Sequence, residues 1–174
     1  MKKLFTLFAL TLVAAISVNA SAQSLVGKWE AEAGGGQYAM IQALGGEIEE
    51  IDNHWTFSSD KTYSAHSYGK GSVEIVGTVM HMEMEINESG IWRLSGDDLT
   101  ITSNDLDVIK MNITFSDPSL NSNSEMIKST LLESYKSAIG ISAVYDIEFK
   151  DNNTVEIEYD NDVMPISFTL KRER

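Results

Sequence analysis

The sequence contains no cysteine and only two prolines, and its 13 basic residues are outnumbered by 26 acidic ones. The absence of cysteine excludes disulfide bridges and thiol chemistry. It also excludes a lipid-anchored export signal, which needs a cysteine at its cleavage point. The formal net charge of −13 argues against nucleic acid and anionic membrane surfaces as partners, because such a surface repels phosphate.

Motifs that carry catalysis or bind phosphate are also missing. The sequence has no phosphate-binding glycine loop, no His-Glu-x-x-His and no Gly-x-Ser-x-Gly. His54 and His66 fall in separate predicted strands, and no serine or aspartate stands at a spacing that suggests a triad. We therefore predict no catalytic residue, no cofactor and no enzymatic activity.

The N terminus has the pattern of an export signal. Lys2 and Lys3 precede an apolar run from Leu4 to Ile16, and Ala20-Ser21-Ala22 is a small-x-small cleavage site. A membrane helix is the alternative, but the run is shorter than the ~20 apolar residues that a span needs. We expect a bacterial, non-lipoprotein signal peptide over residues 1–22, removed on export to the periplasm or the medium. No integral membrane segment is expected in the mature chain.

The rest of the chain, residues 23–174, has the length of one domain and is organised as short alternating segments. The first is Leu25 to Glu32, and the cleanest alternation places Ile109, Met111, Ile113 and Phe115 on one face. Strands and turns recur at roughly 8–12 residues, which is typical of an all-β barrel or sandwich. Residues rich in Gly, Asn, Asp and Ser predict turns at 58–61, 68–72, 87–90, 95–98, 103–105, 151–153 and 160–162.

The run from Val73 to Ile86 is predicted as a single long strand with a change of phase. Val73 and Ile75 point to one side, whereas Met80 and the apolar residues that follow it keep the opposite phase. Because side chains alternate strictly along a strand, we expect a β-bulge at Gly77.

One helix interrupts the β pattern. Ser122 and Glu125 fit a capping box, Ile127, Leu131 and Tyr135 form a helical stripe, and residue 140 is a glycine stop. The stripe either packs on the barrel or covers one end as a lid. Three strands are predicted after this helix: Val144–Lys150, Val155–Tyr159 and Ile166–Lys171. A second, short helix within Gln37–Leu44 and an irregular connection there are both open.

The chain resembles the lipocalin-like families, especially small exported bacterial members. The resemblance rests on Gly27-Lys28-Trp29 in the first strand, on a second Gly-x-Trp at Gly90-Ile91-Trp92, and on a hairpin from Trp55 to Tyr63. It implies one antiparallel up-and-down barrel of roughly 8 to 10 strands, here with the helix inserted before the last three. In such proteins the main helix follows the last barrel strand, so the predicted helix departs from the pattern.

The resemblance also implies a structural anchor and a cavity. Gly27 and Trp29 would close one end of the barrel, and a basic residue of the last strand, Lys171 or Arg172, would lie across the tryptophan ring in a cation–π contact. The cavity would hold a small hydrophobic ligand.

An unusual run, Met80-His81-Met82-Glu83-Met84-Glu85, offers several interpretations. The methionine face is plain core packing, an adaptable cavity wall, or a Cu(I) site, although His81 points away from the methionines. The opposite face, with His81, Glu83 and Glu85, binds a cation, does acid–base work, or is a solvated strand face. The acidic turns lack an EF-hand loop and have the composition that tight turns require, so we predict no metal site.

The leading hypothesis is a barrel that binds a small apolar or amphipathic ligand. The expected lining residues are Met80, Met82, Met84, Met111, Ile113, Phe115, Tyr145 and Phe149. The alternative is a barrel with a filled core that acts through its loops, as a protein-interaction or envelope-assembly module, with no small-molecule ligand. The protein partner, if there is one, is not indicated by the sequence.

Overall fold

Eight antiparallel strands close into a barrel in which each strand pairs with the next along the chain. The computed structural model describes residues 25–32, 45–75, 77–159 and 166–173. Strand β1 also pairs with β8, which closes the barrel. The predicted antiparallel up-and-down barrel is confirmed. Within the described residues the strands are β1 Gly27–Ala31, β2 Glu47–Phe57, β3 Thr62–Ile75, β4 Thr78–Ser95, β5 Asp98–Phe115, β6 Ser142–Asp151, β7 Thr154–Tyr159 and β8 Ile166–Arg172.

Three predictions lie outside the described residues. They are the export signal over 1–22, the short helix within Gln37–Leu44 and the acidic turn at 160–162.

The predicted helix is present, before the last three strands. Helix α1 spans Asn121–Ala138 and follows a 3-10 turn at Pro118–Leu120. The capping box was wrong, because the helix begins ahead of Ser122 and has no side-chain cap. Instead, Asp117 caps the 3-10 turn by accepting a hydrogen bond from the Ser119 amide at 2.9 Å. In the described part of the chain, no helix has the length and apolar content that crossing a membrane requires.

Strands β3, β4 and β5 are longer than predicted, at 14, 18 and 18 residues. The turns predicted at 68–72, 87–90 and 103–105 were wrong, because these residues lie inside strands. Bulges between β4 and β5, at Glu85/Ile86 and at Ser89/Gly90, let the strands bend without ending. The polar and glycine residues in these stretches therefore mark curvature rather than chain reversal.

The predicted bulge at Gly77 was also wrong, because the chain reverses direction there. Strand β3 ends at Ile75, β4 begins at Thr78, and these two residues are paired. Gly77 has φ +79°, a left-handed conformation that glycine adopts without strain and that tight hairpins need. The reversal explains the change of phase, since Val73 and Met80 face each other across the hairpin.

One member of the cleanest alternating segment points outward. Ile109 is 50% exposed, whereas Ile113 on the same strand is buried. The bulge opposite Glu85 and Ile86 pairs Met111 and Val108 with successive inward residues of β4, which leaves Ile109 as the extra residue. The extra residue changes the phase of the strand and turns Ile109 to the outer face.

Two separate apolar clusters fill the inner face of the sheet. The upper cluster consists of Val73, Met80, Met82 and Ile113, with Ile127 and Leu131 of α1 packed on it. The helix stripe therefore packs over the methionines at the end where β3 meets β4. The floor cluster lies at the opposite end and consists of Leu25, Trp29, Ala31, Phe57, Tyr63, Ala65, Trp92, Leu99, Ile101, Ile147, Val155, Ile157, Phe168 and Leu170.

Candidate functional site in the barrel interior

The floor of the barrel is closed by Trp29, whose side chain has no exposed surface. Its indole nitrogen donates a hydrogen bond to the Leu25 carbonyl oxygen at 2.8 Å. The guanidinium carbon of Arg172 lies 4.2 Å from the centre of the indole ring, within cation–π range. Of the two basic residues considered for this position, Arg172 makes the contact, and Lys171 instead pairs with Glu32.

Gly27 leaves the space that Arg172 occupies. A Cβ atom at Gly27 would lie 2.3 Å from a guanidinium nitrogen of Arg172, and the glycine φ of +142° disfavours any other residue. That nitrogen donates to the Val26 carbonyl oxygen at 2.8 Å, and Nε donates to the Asn152 carbonyl oxygen at 3.0 Å. The structure thus brings the three residues of the predicted anchor together where β1 meets β8.

The second Gly-x-Trp closes the same end in a similar way. The Trp92 indole nitrogen donates to the Ser58 carbonyl oxygen at 3.1 Å, and Lys61 Nζ lies 4.0 Å from the ring centre. Trp92 also packs edge-on against Phe57, with ring centroids 5.6 Å apart. Both tryptophans therefore carry a cation on one face. The repeated motif was visible in the sequence, but the Lys61 partner was not predicted.

Above this floor, inward-facing side chains keep exposed surface. Strand register places Trp55, Ala65, Glu88 and Leu106 in one row across the inner face. Ala65 is buried, but Trp55, Glu88 and Leu106 are half-buried, unlike the fully buried residues of the floor. Because protein interiors are close-packed, inward side chains that keep exposed surface lie next to space that water or a ligand can enter. We call the interior between the two clusters the central chamber, bordered by Trp55, Glu88, Leu106, Val108, Met111 and Tyr145.

No protein-family model matches the sequence, and no curated protein matches it either.

The central chamber contains a carboxylate held by a buried tyrosine. The Tyr63 hydroxyl donates a hydrogen bond to Glu88 Oε1 at 2.6 Å. Burial, and then the hydrogen bond to Glu88, raise the pKa of Tyr63 well above its ordinary value, so the phenol stays protonated and remains a donor. Among the described residues, no lysine, arginine or histidine forms an ion pair with Glu88.

Gly90 explains how the tyrosine reaches this carboxylate. A Cβ atom at Gly90 would lie 2.8 Å from the Tyr63 ring and 2.0 Å from the Thr102 carbonyl oxygen. The ring therefore crosses β4 over the glycine, and its hydroxyl extends to Glu88, two residues along the same strand. Gly90 leaves room for the tyrosine ring because glycine has no side chain.

Further polar groups lie close to Glu88. The rings of Tyr145 and Tyr159 pack with centroids 5.2 Å apart. Burial, followed by the charge of Glu88, raises the pKa of Tyr145 to about 12. Asn53 is 6% exposed, and its side-chain oxygen has no hydrogen-bond partner in the described part of the chain. Its neighbour on β3, Ser67, pairs with Ile86, one inward position from Glu88.

The eight predicted lining residues fall into two groups on either side of this polar layer. Met80, Met82 and Ile113 belong to the upper cluster, and Phe115 packs against it. Met84 pairs with Met111, and the Tyr135 hydroxyl of α1 lies 3.7 Å from Met84 Sδ. Tyr145 and Phe149 instead pack against the floor cluster.

Sequence reasoning missed Glu88 and Tyr63 as site residues. The signal for Glu88 was present, because it keeps the inward phase of Met84 and Ile86, but residues 87–90 were interpreted as a turn. Tyr63 was assigned to a strand, and its contact with Glu88 depends on the β3–β4 register, which a local pattern does not reveal.

The outer face of β4 has a different character. Glu83 accepts hydrogen bonds from Lys110 at 2.5 Å and Asn112 at 3.0 Å, and these bonds lower its pKa. His81 is exposed, on the face opposite the buried methionines. The described residues include no group of three or more His, Asp or Glu side chains placed to hold a metal ion.

An open groove of about 150 Å³ lies on the outside of β6 and β7. Its carboxylates belong to Asp146, Glu148, Glu156 and Glu158. Lys150 bridges Glu148 at 2.8 Å and Glu156 at 2.7 Å, so part of this charge is compensated within the protein. The groove is separate from the barrel interior, because these side chains alternate with the inward-facing Ile147 and Ile157.

Proposed function

We propose that this chain is an exported lipocalin-like protein that binds a small apolar or amphipathic ligand inside its barrel. The observation that carries the proposal is the difference between the two levels of the interior. The floor is fully buried around Trp29 and Trp92, whereas the six inward side chains that border the central chamber keep exposed surface. A barrel closed at one end with a partly open, largely apolar interior is a typical small-molecule site.

The proposed ligand places its apolar part against Trp55, Leu106, Val108 and Met111. Burial of apolar surface drives its binding, at roughly 25 cal/mol per Å² removed from water. The tyrosine hydroxyls and Glu88 orient its polar end. The proposal assigns binding to the barrel and no chemical step.

Export is proposed from the sequence. The positive head at Lys2 and Lys3, the apolar run from Leu4 to Ile16 and the Ala20-Ser21-Ala22 cleavage site support it.

A second candidate is a barrel that acts through its surface as a protein-interaction module. The packing of α1 on the methionines favours it, because part of the predicted cavity wall is then helix–sheet core. Ile139, Ile141 and Val144, which follow the helix, are exposed apolar residues of the kind that contact partners.

Native mass spectrometry distinguishes the two. The protein is purified from cells that export it, and its mass is measured before and after release of bound molecules in organic solvent. A ligand-binding barrel shows a discrete excess mass, or acquires one after incubation with a medium-chain alcohol such as decanol. A species at the polypeptide mass only, under both conditions, contradicts ligand binding and leaves the surface module.

A further inference from the structure

The central chamber has an acceptor-rich polar layer, and no positively charged side chain of the described residues pairs with it. Glu88 faces inward between Ala65 and Leu106, its cross-strand neighbours, both apolar. In the described part of the chain, its hydrogen-bond partner is the Tyr63 hydroxyl. Glu88 keeps part of its surface exposed, and one neutral hydroxyl is a weaker partner for its charge than a cation would be.

Aromatic rings lie near the same position. Trp55 lies in the same inner layer as Glu88 and stacks on Tyr63, with ring centroids 6.0 Å apart. The charge of Glu88 contributes to the raised pKa of Tyr145, and the Tyr145 ring packs against that of Tyr159. A carboxylate beside tryptophan and tyrosine rings is the combination that recognises an ammonium group, through a charge-assisted hydrogen bond and cation–π attraction.

Asn53 provides a second hydrogen-bond acceptor that a ligand amine could satisfy. The side-chain oxygen of Asn53 is buried on the inner face, one layer from Glu88, without a partner among the described residues. A buried acceptor without a donor costs free energy, and a ligand with several N–H groups recovers it. A carboxylate or phosphate head group would instead meet Glu88, which has no compensating cation among the residues that the structure describes.

We infer that the central chamber selects cationic amphiphiles, with an alkyl or aryl tail and a protonated amine that binds between Glu88 and the chamber aromatics. This inference rests on the proposed function. The net charge of −13 acts in the same sense, because the field of the whole protein attracts cations and repels anionic amphiphiles.

The test compares three ligands with one tail and different heads: decylamine, decanol and decanoate, each below its critical micelle concentration. They compete with the neutral fluorescent probe N-phenyl-1-naphthylamine for the full-length mature protein. We expect decylamine to bind roughly 10-fold or more tightly than decanol, and decanoate to bind most weakly. Equal binding of the three, or strongest binding of decanoate, overturns the inference and leaves the proposed function intact. Absence of binding by the probe and by all three ligands contradicts the proposed function itself.

Variants assign the preference to one carboxylate. Glu88→Gln should bring decylamine down to the affinity of decanol and leave decanol unchanged. The matched control, Glu85→Gln, lies on the outer face of the same strand and should retain the preference. Tyr63→Phe keeps the carboxylate and should retain it too. An unaltered preference in a folded Glu88→Gln protein overturns the inference. If Glu88→Gln does not fold, the wild-type ranking of the three ligands decides the question.

Discussion

Arg172 and Trp29 face each other at the seam where the last strand of the barrel closes on the first. They are register partners in the β1–β8 pair, and the guanidinium lies over the indole ring. Because Arg172 also donates hydrogen bonds to the carbonyl oxygens of Val26 and Asn152, one side chain links β8, the segment before β1 and the β6–β7 turn. The contact therefore holds the closed end together.

Replacing Arg172 with alanine should destabilise the protein by about 2–3 kcal/mol. The estimate combines a cation–π contact with two hydrogen bonds from a charged donor. Arg172→Lys should have a stability between those of wild type and Arg172→Ala, because lysine keeps the charge but loses the planar guanidinium group. Chemical denaturation followed by tryptophan fluorescence measures the free energy of unfolding. Lys171→Ala is the control, since it removes an exposed ion pair and should change stability by about 0.5 kcal/mol or less. Equal effects of the two alanine variants would refute the anchor role.

Gly90→Ala should destabilise the protein and displace Tyr63. A methyl group there overlaps both the Thr102 carbonyl oxygen and the Tyr63 ring. We expect a loss of about 2–4 kcal/mol, the range of overpacked or strained core positions. The control is Gly96→Asn, where nothing lies within 4 Å of a Cβ atom and asparagine tolerates the left-handed φ of +66°. We expect near-wild-type stability for this control, and thermal unfolding compares the two variants.

The sequence was sufficient for the class of fold and insufficient for its strand lengths. Period-two alternation and turn residues identify strands and one helix locally, so the barrel and the position of α1 were predictable. The outward position of Ile109 and the continuity of β4 through Gly90 depend on bulges, which arise from pairing with a neighbouring strand. The Tyr63–Glu88 hydrogen bond also depends on strand pairing and was not predictable from local patterns, because its partners are 25 residues apart in sequence. Trp29 and a basic residue of the last strand were expected together only through a family resemblance.

His54 should make stability depend on pH. Its Nδ1 lies 2.7 Å from Glu173 Oε1 and its Nε2 lies 2.6 Å from Asp52 Oδ1, with Glu30 and His66 as cross-strand neighbours. The hydrogen bond to Glu173 raises the pKa of His54 above 6.5. Desolvation opposes part of this increase, and the charge of Asp52 adds to it. A raised pKa in the folded state means that the stabilisation is full below pH 6.5 and disappears as pH rises through the folded-state value.

The measurement is the difference in unfolding free energy between wild type and His54→Gln at pH 5.5 and pH 8.5. Because the His54 side chain is 41% exposed, solvent screening limits the effect to about 1 kcal/mol or less. The variant should be less stable than wild type at pH 5.5 and close to it at pH 8.5. A larger deficit at pH 8.5 would show that the imidazolium does not hold the side-chain carboxylate of Glu173.

Tyr63→Phe should cost stability because it leaves Glu88 without its hydroxyl donor. Loss of a part-buried hydrogen bond to a carboxylate is worth about 1.5–3 kcal/mol. Tyr68→Phe is the matched control, since its hydroxyl meets Glu83 at 3.2 Å on the outer face, where water replaces it. Thermal unfolding of both variants measures the difference, and a smaller effect at Tyr63 than at Tyr68 would contradict a stabilising Tyr63–Glu88 bond in the interior.

Binding of a small molecule in the barrel interior is tested most directly by a pair of adjacent substitutions. Val108 faces the central chamber opposite Ile86, and Ile109 beside it is 50% exposed on the outer face. Titration with N-phenyl-1-naphthylamine should show saturable binding to wild type. Val108→Trp, which fills the chamber, should weaken binding roughly 10-fold or more, and Ile109→Trp should leave it unchanged. Equal binding by both folded variants, or no saturable binding by wild type, would contradict a ligand site inside the barrel.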